Sequence, residues 1–292
     1  MKMKPITTSE EAEQDFLRIF SALSQRYSSW GVWQDFVFMG AAAIANAVDK
    51  RPGIWHKREN EYLSIAKKYK KSELSEIIQL FALTVTALTL NPAQDFLGKL
   101  YMRLELSNHW HGQFFTPWHI SELMAMVIAG EDLKERIAAS GYISVNDPAC
   151  GAGGMMLAFA NVCVSQGVNY QESVLFVGQD VDPVVAKMCY IQASLLGCAG
   201  YVIIGNTLTE PAEGTTLSPS YKRPESLWFT PLYYLPVWET RRELEKAELF
   251  GRKEAAHTPE KPPETTVRRL TGGNQTPTFR IQNFLGEGDT DE

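Results

Sequence analysis

The stretch Asp147-Pro148-Ala149-Cys150-Gly151-Ala152-Gly153-Gly154 sits between a short apolar run, Tyr142 to Asn146, and a helical pattern, Met155 to Gln166. An apolar run entering a glycine cluster and leaving as a helix reads as a strand-turn-helix unit. Glycine allows backbone angles that side chains forbid, and it lets the main chain approach a ligand closely. The helix that follows offers free N–H groups at its start. Taken alone, the cluster is also compatible with a plain tight turn.

Working outward, the same alternation repeats. Val174 to Val177 is a second apolar run, ending in Gly178-Gln179-Asp180-Val181-Asp182-Pro183, and Val184 to Leu196 is helical. Tyr201 to Ile204 is a third run, followed by Gly205-Asn206-Thr207-Leu208, and Leu227 to Phe229 reads as a fourth strand. Strands alternating with helices predict an α/β fold with a parallel sheet covered on both faces. Ligands of such sheets sit beyond the carboxyl ends of the strands. Asp180, at the end of the second strand, is placed to accept hydrogen bonds from ribose hydroxyls, whereas Asp182 reads as the cap of the next helix. Asn206 reads either as a donor and acceptor for a nucleobase edge or as an ordinary turn residue.

Upstream, residues 9 to 105 read as helices. Phe16, Ile19, Phe20 and Leu23 fall at helical spacing behind a cap at Thr8 or Ser9. Trp33 to Val48, Asn60 to Tyr69, Leu74 to Leu90 and Asp95 to Leu106 follow, and Asn91-Pro92 breaks the fourth helix. Trp30, Trp33 and Trp55 read as core of this region. Lys67-Lys68-Tyr69-Lys70-Lys71 reads as a solvated helix face or a phosphate contact. Downstream, Glu239 to Ala256 reads as an exposed helix. The Pro-, Thr- and Gly-rich tail reads as disordered, with Thr278 to Leu285 as one strand or a docking segment. The expected organisation is a helical region over 1–106, the α/β domain over 107–238, and a charged helix and tail over 239–292.

One more segment makes the pattern specific. Gly112-Gln113-Phe114-Phe115-Thr116-Pro117 precedes a helix from about Ile120 to Ile128. The ordered series GQFFTP, DPACGAGG, GQDVDP and GNTL resembles that of the adenine-N6 DNA methyltransferases, and is most like the modification (methylase) subunits of type I restriction systems. The match spans about residues 109 to 210. The resemblance implies a class I S-adenosylmethionine-dependent methyltransferase sheet, Rossmann-like, preceded by a helical N-terminal region. A full sheet of that fold has seven strands and about four are legible here, so the sheet is expected to be incomplete.

By position, the resemblance assigns Phe114, Thr116 and Pro117 to the methionine end of S-adenosylmethionine. It assigns Asp147, Ala149, Gly151 and Gly153 to the cofactor turn, Asp180 to the ribose, and Asn206, where the family has Asp, to the adenine ring. The family's catalytic motif, Asn-Pro-Pro followed by an aromatic residue, ends strand four. There the Asn and Pro oxygens hold the amine of a flipped-out adenine and the aromatic ring stacks on the base. Here the aligned residues are Thr230-Pro231-Leu232-Tyr233. Thr230, Pro231 and Tyr233 are the expected, degenerate counterpart; the same segment also reads as aromatic packing on the sheet edge.

Composition bounds the partners. The chain has 292 residues, 45% of them hydrophobic, with 28 basic against 34 acidic residues and a net charge of -6. Phosphate contacts supply much of any protein's grip on DNA, so this balance predicts that any grip on DNA is borrowed from a partner; the resemblance implies a specificity or other subunit. The four cysteines, Cys150, Cys163, Cys189 and Cys198, show no metal-ligand spacing, which reads as reduced thiols in the cytoplasm. No metal is implied. The N-terminal lysines have no apolar run behind them, so no signal peptide is expected, and no segment reads as long enough to cross a membrane.

Overall fold

The computed structural model describes residues 5–106 and 115–257, with the side chains of the last helix followed only to residue 250. Phe114, His109, Trp110, His111 and the Thr278 to Leu285 segment lie outside the described residues.

Five helices come first: α1 (Ser9–Ser24), α2 (Ser29–Val48), α3 (Pro52–Ala66), α4 (Lys71–Leu90) and α5 (Phe96–Arg103). Thr8 caps α1 by accepting from Glu11 N at 3.2 Å, as the sequence predicts. The apolar positions of α1 meet Trp33 and Phe36 of α2 and Phe96 of α5 in edge-on ring contacts. α4 corrects one expectation: Lys71–Leu90 is long and apolar enough to cross a membrane by length and composition. Its Ile77, Leu80, Leu83, Ala87 and Leu88 are instead buried in the protein core.

Then come α6 (Trp118–Ala129), α7 (Leu133–Ser140), β1 (Ile143–Asp147), α8 (Gly154–Ser165), α9 (Tyr170–Ser173), β2 (Val174–Asp180), α10 (Pro183–Leu195) and β3 (Gly200–Ile204). A two-stranded hairpin, β4 (Glu213–Gly214) and β5 (Pro219–Ser220), precedes β6 (Leu227–Phe229), a 3₁₀ turn (Pro231–Tyr234) and α11 (Pro236–His257). The strand order is β1-β2-β3-β6. β1, β2 and β3 are parallel, and β6 is antiparallel to β3. This is an incomplete Rossmann-like sheet preceded by a helical region. The expectation of an all-parallel sheet fails at β6.

Residues of α8, α10 and the N-terminal helices share one core on the first face of the sheet. Gln192, fully buried on α10, ties these parts together. Its Oε1 accepts from Leu97 N at 3.0 Å, while its Nε2 donates to Asp95 and to Ala152 O. The described residues up to Leu249 belong to one compact unit. A second latch joins α2 and α3 to β6. Arg58 bonds Asp49 at 2.8 Å, both almost fully buried, and stacks its guanidinium 4.4 Å over Trp228. The other sheet face is covered by Leu217, Tyr221, Tyr233 and Trp238.

β1 has no strand on its other side among the described residues. α6, packed on α8, buries Ser121, Ala125 and Ala129 but leaves Leu123, Met124, Met126, Val127 and Ile128 exposed.

Candidate functional site

The glycine turn has the geometry its composition demands. Gly151 and Gly153 adopt φ of +54° and +95°, where side-chain-bearing residues are strained. A Cβ on Gly153 would lie 2.9 Å from Cys189 Sγ, and one on Gly151 would lie 3.3 Å from the Phe115 ring. The turn is held to β2 by Cys150 N donating to Gln179 O at 3.0 Å.

Asp180 closes the arrangement. Its Oδ2 accepts from Gly151 N and its Oδ1 from Asp182 N, both at 2.9 Å. A carboxylate offers about four acceptor positions, so Asp180 keeps capacity for a further donor. Burial raises the Asp180 carboxyl above its ordinary range, and these backbone bonds pull it partly back. Asp147 is likewise raised by burial, with an N–H bond from Ala149 opposing and the nearby Asp180 charge adding.

Above the carboxyl ends of β1, β2 and β3 lies a cavity of about 410 Å³, lined by Pro148, Ala149, Asp180, Val181, Gly205, Asn206, Thr207 and Leu208. Thr207 Oγ1 fastens this loop to Pro148 O at 2.6 Å. Asn206 Oδ1 already accepts from Leu208 N and Thr209 N, at 2.9 and 3.1 Å. With both acceptor positions taken, the amide nitrogen is the group left to donate to a ligand. The sequence expectation of a two-way contact is thereby narrowed to donation.

A second, smaller cavity of about 80 Å³ lies next to the turn, lined among others by Asp95, Phe115, Thr116, Ser121, Asp147, Ala149 and Gly151. Thr116 thus reaches the turn. Pro117 stands one residue on, as the N-cap of α6. Phe115, not singled out from sequence, stacks on Tyr101 and covers Gly151. Asp95 and Ser121 were also missed. The sequence places Asp95 as the first residue of a short helix; it is instead the N-cap of α5, and nothing marked its second oxygen. Two features fit an adenosine bearing an amino-acid chain. The left-handed glycines leave backbone open to close approach, and the smaller cavity holds a buried hydroxyl, Ser121 Oγ, with no hydrogen-bond partner.

Thr230-Pro231-Leu232-Tyr233 pack against the sheet, the second of the two readings the sequence allows. β6 lies beside β3, at the opposite edge from β1, and runs antiparallel, so its carboxyl end lies at the amino end of the parallel strands. Thr230, 2% exposed, donates its hydroxyl to Cys198 O at 2.7 Å and accepts from Gly200 N at 3.0 Å. Tyr233 is buried, stacks on Phe229 at 4.4 Å and donates to Leu217 O at 2.7 Å. Pro231 opens the 3₁₀ turn next to them. These residues lie near the amino ends of the parallel strands and line neither cavity.

Comparison with known proteins agrees with the motif series. The family model described as N-6 DNA Methylase matches residues 93–251, more than half of the chain. A type I restriction enzyme MjaIX methylase subunit from Methanocaldococcus jannaschii is 28% identical over 112 residues, covering 38% of this chain and 18% of that protein. The chain thus spans under a fifth of that relative's length. A solved putative class I S-adenosylmethionine-dependent methyltransferase from Listeria monocytogenes is 15% identical. It covers 68% of this chain and 55% of its own, with a TM-score of 0.36, too loose a likeness to argue from. On the strength of the family match, this chain belongs to the N-6 DNA methylase family.

Proposed function

We propose that this chain binds S-adenosylmethionine in the crevice above β1, β2 and β3, and holds the methyl donor for adenine-N6 methylation of DNA. The observation that carries this reading is the bond from Gly151 N to Asp180 Oδ2 at 2.9 Å, which locks the glycine turn to the acid beneath the larger cavity. In this reading Asp180 accepts from the ribose hydroxyls and Asn206 donates to the adenine ring. The backbone of Ala149, Gly151 and Gly153, with Asp147, Thr116 and Pro117, surrounds the methionine portion. Bound there, the cofactor supplies an electrophilic methyl; the protein's share is to fix its position and orientation.

The second reading, a donor-binding member that does not itself catalyse transfer, is favoured by Thr230. That residue is buried at the wrong end of the sheet to hold a flipped adenine. We therefore infer that the target adenine and the DNA are gripped by a partner, such as a specificity or other subunit. The net charge of -6 supports this, as do the side of β1 left unpaired among the described residues and the apolar residues exposed on α6. Four buried, unpaired cysteines suit a reducing compartment, and we place the chain in the cytoplasm.

Transfer of labelled methyl from S-adenosylmethionine to adenine-rich DNA tests this. The isolated chain is expected to give no transfer. Robust transfer by the isolated chain would mean that adenine is held here by residues other than those at 230–233.

A further inference from the structure

Asp95 and Ser121, on separate elements of the chain, converge on the smaller cavity. Asp95 Oδ1 is fully engaged, accepting from Gly98 N at 2.8 Å and Gln192 Nε2 at 2.7 Å. Oδ2 lies 3.4 Å from the point a Cβ on Gly154 would occupy, and Ser121 Oγ lies 3.7 Å from the same point. Gly98 makes room for this carboxylate, since a Cβ there would fall 2.0 Å from Oδ2. Ser121 is 0% exposed and its hydroxyl has no hydrogen-bond partner among the described residues. Asp95 makes no ion pair among the described residues; burial raises its carboxyl, opposed by the bonds from Gln192 and Gly98 and by the nearby Lys99 charge.

A buried hydroxyl without a partner and a carboxylate oxygen without a cation are both costly unless a ligand completes them. Asp147 lines the same cavity, so the surroundings are acidic. They suit a compact, cationic hydrogen-bond donor and repel a carboxylate or phosphate. Resting on the cofactor reading above, we propose that Asp95 Oδ2 and Ser121 Oγ receive the α-ammonium group of S-adenosylmethionine. The helical region then contributes directly to the cofactor site, and Gln192 holds Asp95 and the glycine turn in a fixed relation through its bonds to both.

The test is calorimetric titration with two neutral thioethers, S-adenosylhomocysteine and 5′-methylthioadenosine, which differ in the amino-acid end. Asp95→Asn keeps an acceptor for the Gly98 and Gln192 bonds and removes the charge. Ser121→Ala removes only an unpartnered hydroxyl. Thermal melts of the free variants confirm folding. Asp95→Asn is expected to weaken S-adenosylhomocysteine by about 10-fold or more, with 5′-methylthioadenosine unchanged to within about twofold. Ser121→Ala is expected to follow the same pattern more weakly. Equal loss for both ligands, or no loss for either, overturns the ammonium contact and leaves the cofactor site standing. Failure of both ligands to bind the unaltered chain overturns the contact and the site together.

Discussion

Replacing Thr230 by Val keeps the shape of the side chain and deletes its hydroxyl, which separates a structural role from a catalytic one. In the folded chain that hydroxyl donates to Cys198 O at 2.7 Å and accepts from Gly200 N at 3.0 Å, in a site 2% exposed. Each backbone group left unsatisfied in such a place costs about 1–3 kcal/mol. Two of them make about 2–4 kcal/mol, allowing for partial relaxation. For a unit of this size each kcal/mol lowers Tm by roughly 2–4 °C, so a fall on the order of 10 °C is expected. Circular dichroism melts measure it, with calorimetry on S-adenosylhomocysteine as the companion assay. Affinity should stay within about twofold, because Thr230 touches the start of β3 and the cofactor crevice opens at the other end. Thr230→Asn, which restores the family's catalytic residue type, should also destabilise, because the larger amide has no room there, and should give no methyl transfer. An unchanged Tm, or lost cofactor binding in a fully folded variant, would refute this placement.

Other outcomes follow from the same geometry. Gly153→Ala forces a side chain into φ +95° and against Cys189 Sγ; strain of about 1–3 kcal/mol is expected in the melt, together with weakened cofactor binding in titration. Asp49→Asn breaks a buried pair with Arg58 and an additional one with Arg51, and is expected to cost about 3–5 kcal/mol in denaturant unfolding with cofactor affinity little changed. Acidification should act on Asp95, Asp147 and Asp180, all raised by burial above the ordinary carboxylate range. The folded chain then holds these protons at pH values where the unfolded chain has released them. Ionising them costs folding stability as pH rises through the folded pKa values, and acidification of the free protein recovers that increment. Cofactor binding, which needs the charged forms, should move the other way and weaken as pH falls through the folded pKa values in a titration series.

The glycine turn, Asp180 and the strand-helix alternation were legible because each depends on local chemistry. Gly151 and Gly153 announce positive φ, and an acid at a strand end announces itself by position. The place of β6 was not legible. Leu227–Phe229 is three residues long, and an apolar run that short carries no record of its partner or direction. Motif order therefore set Thr230 beside the cofactor, while the preceding hairpin turns the chain back along β3. Asp95 was hidden for a different reason: its capping role accounts for the residue so well that a second role left no signal. Ser121 reads as one polar position on an apolar helix, and only its burial without a partner gives it meaning. The periodicity starts α4 at Leu74 whereas the helix begins at Lys71, because Lys71, Ser72 and Glu73 carry no apolar period; its threonines, which bond back to Leu80 O, Ala82 O and Val85 O, make an apolar helix read as a mixed one.

The central claim, that Asp180 and the glycine turn form a site for S-adenosylmethionine, is tested most directly by titrating the cofactor into the chain and into its Asp180→Ala variant. The account predicts saturable binding by the unaltered chain and a loss of about 10-fold or more in the variant. No heat of binding at cofactor concentrations of about 1 mM, or two indistinguishable curves, would contradict it.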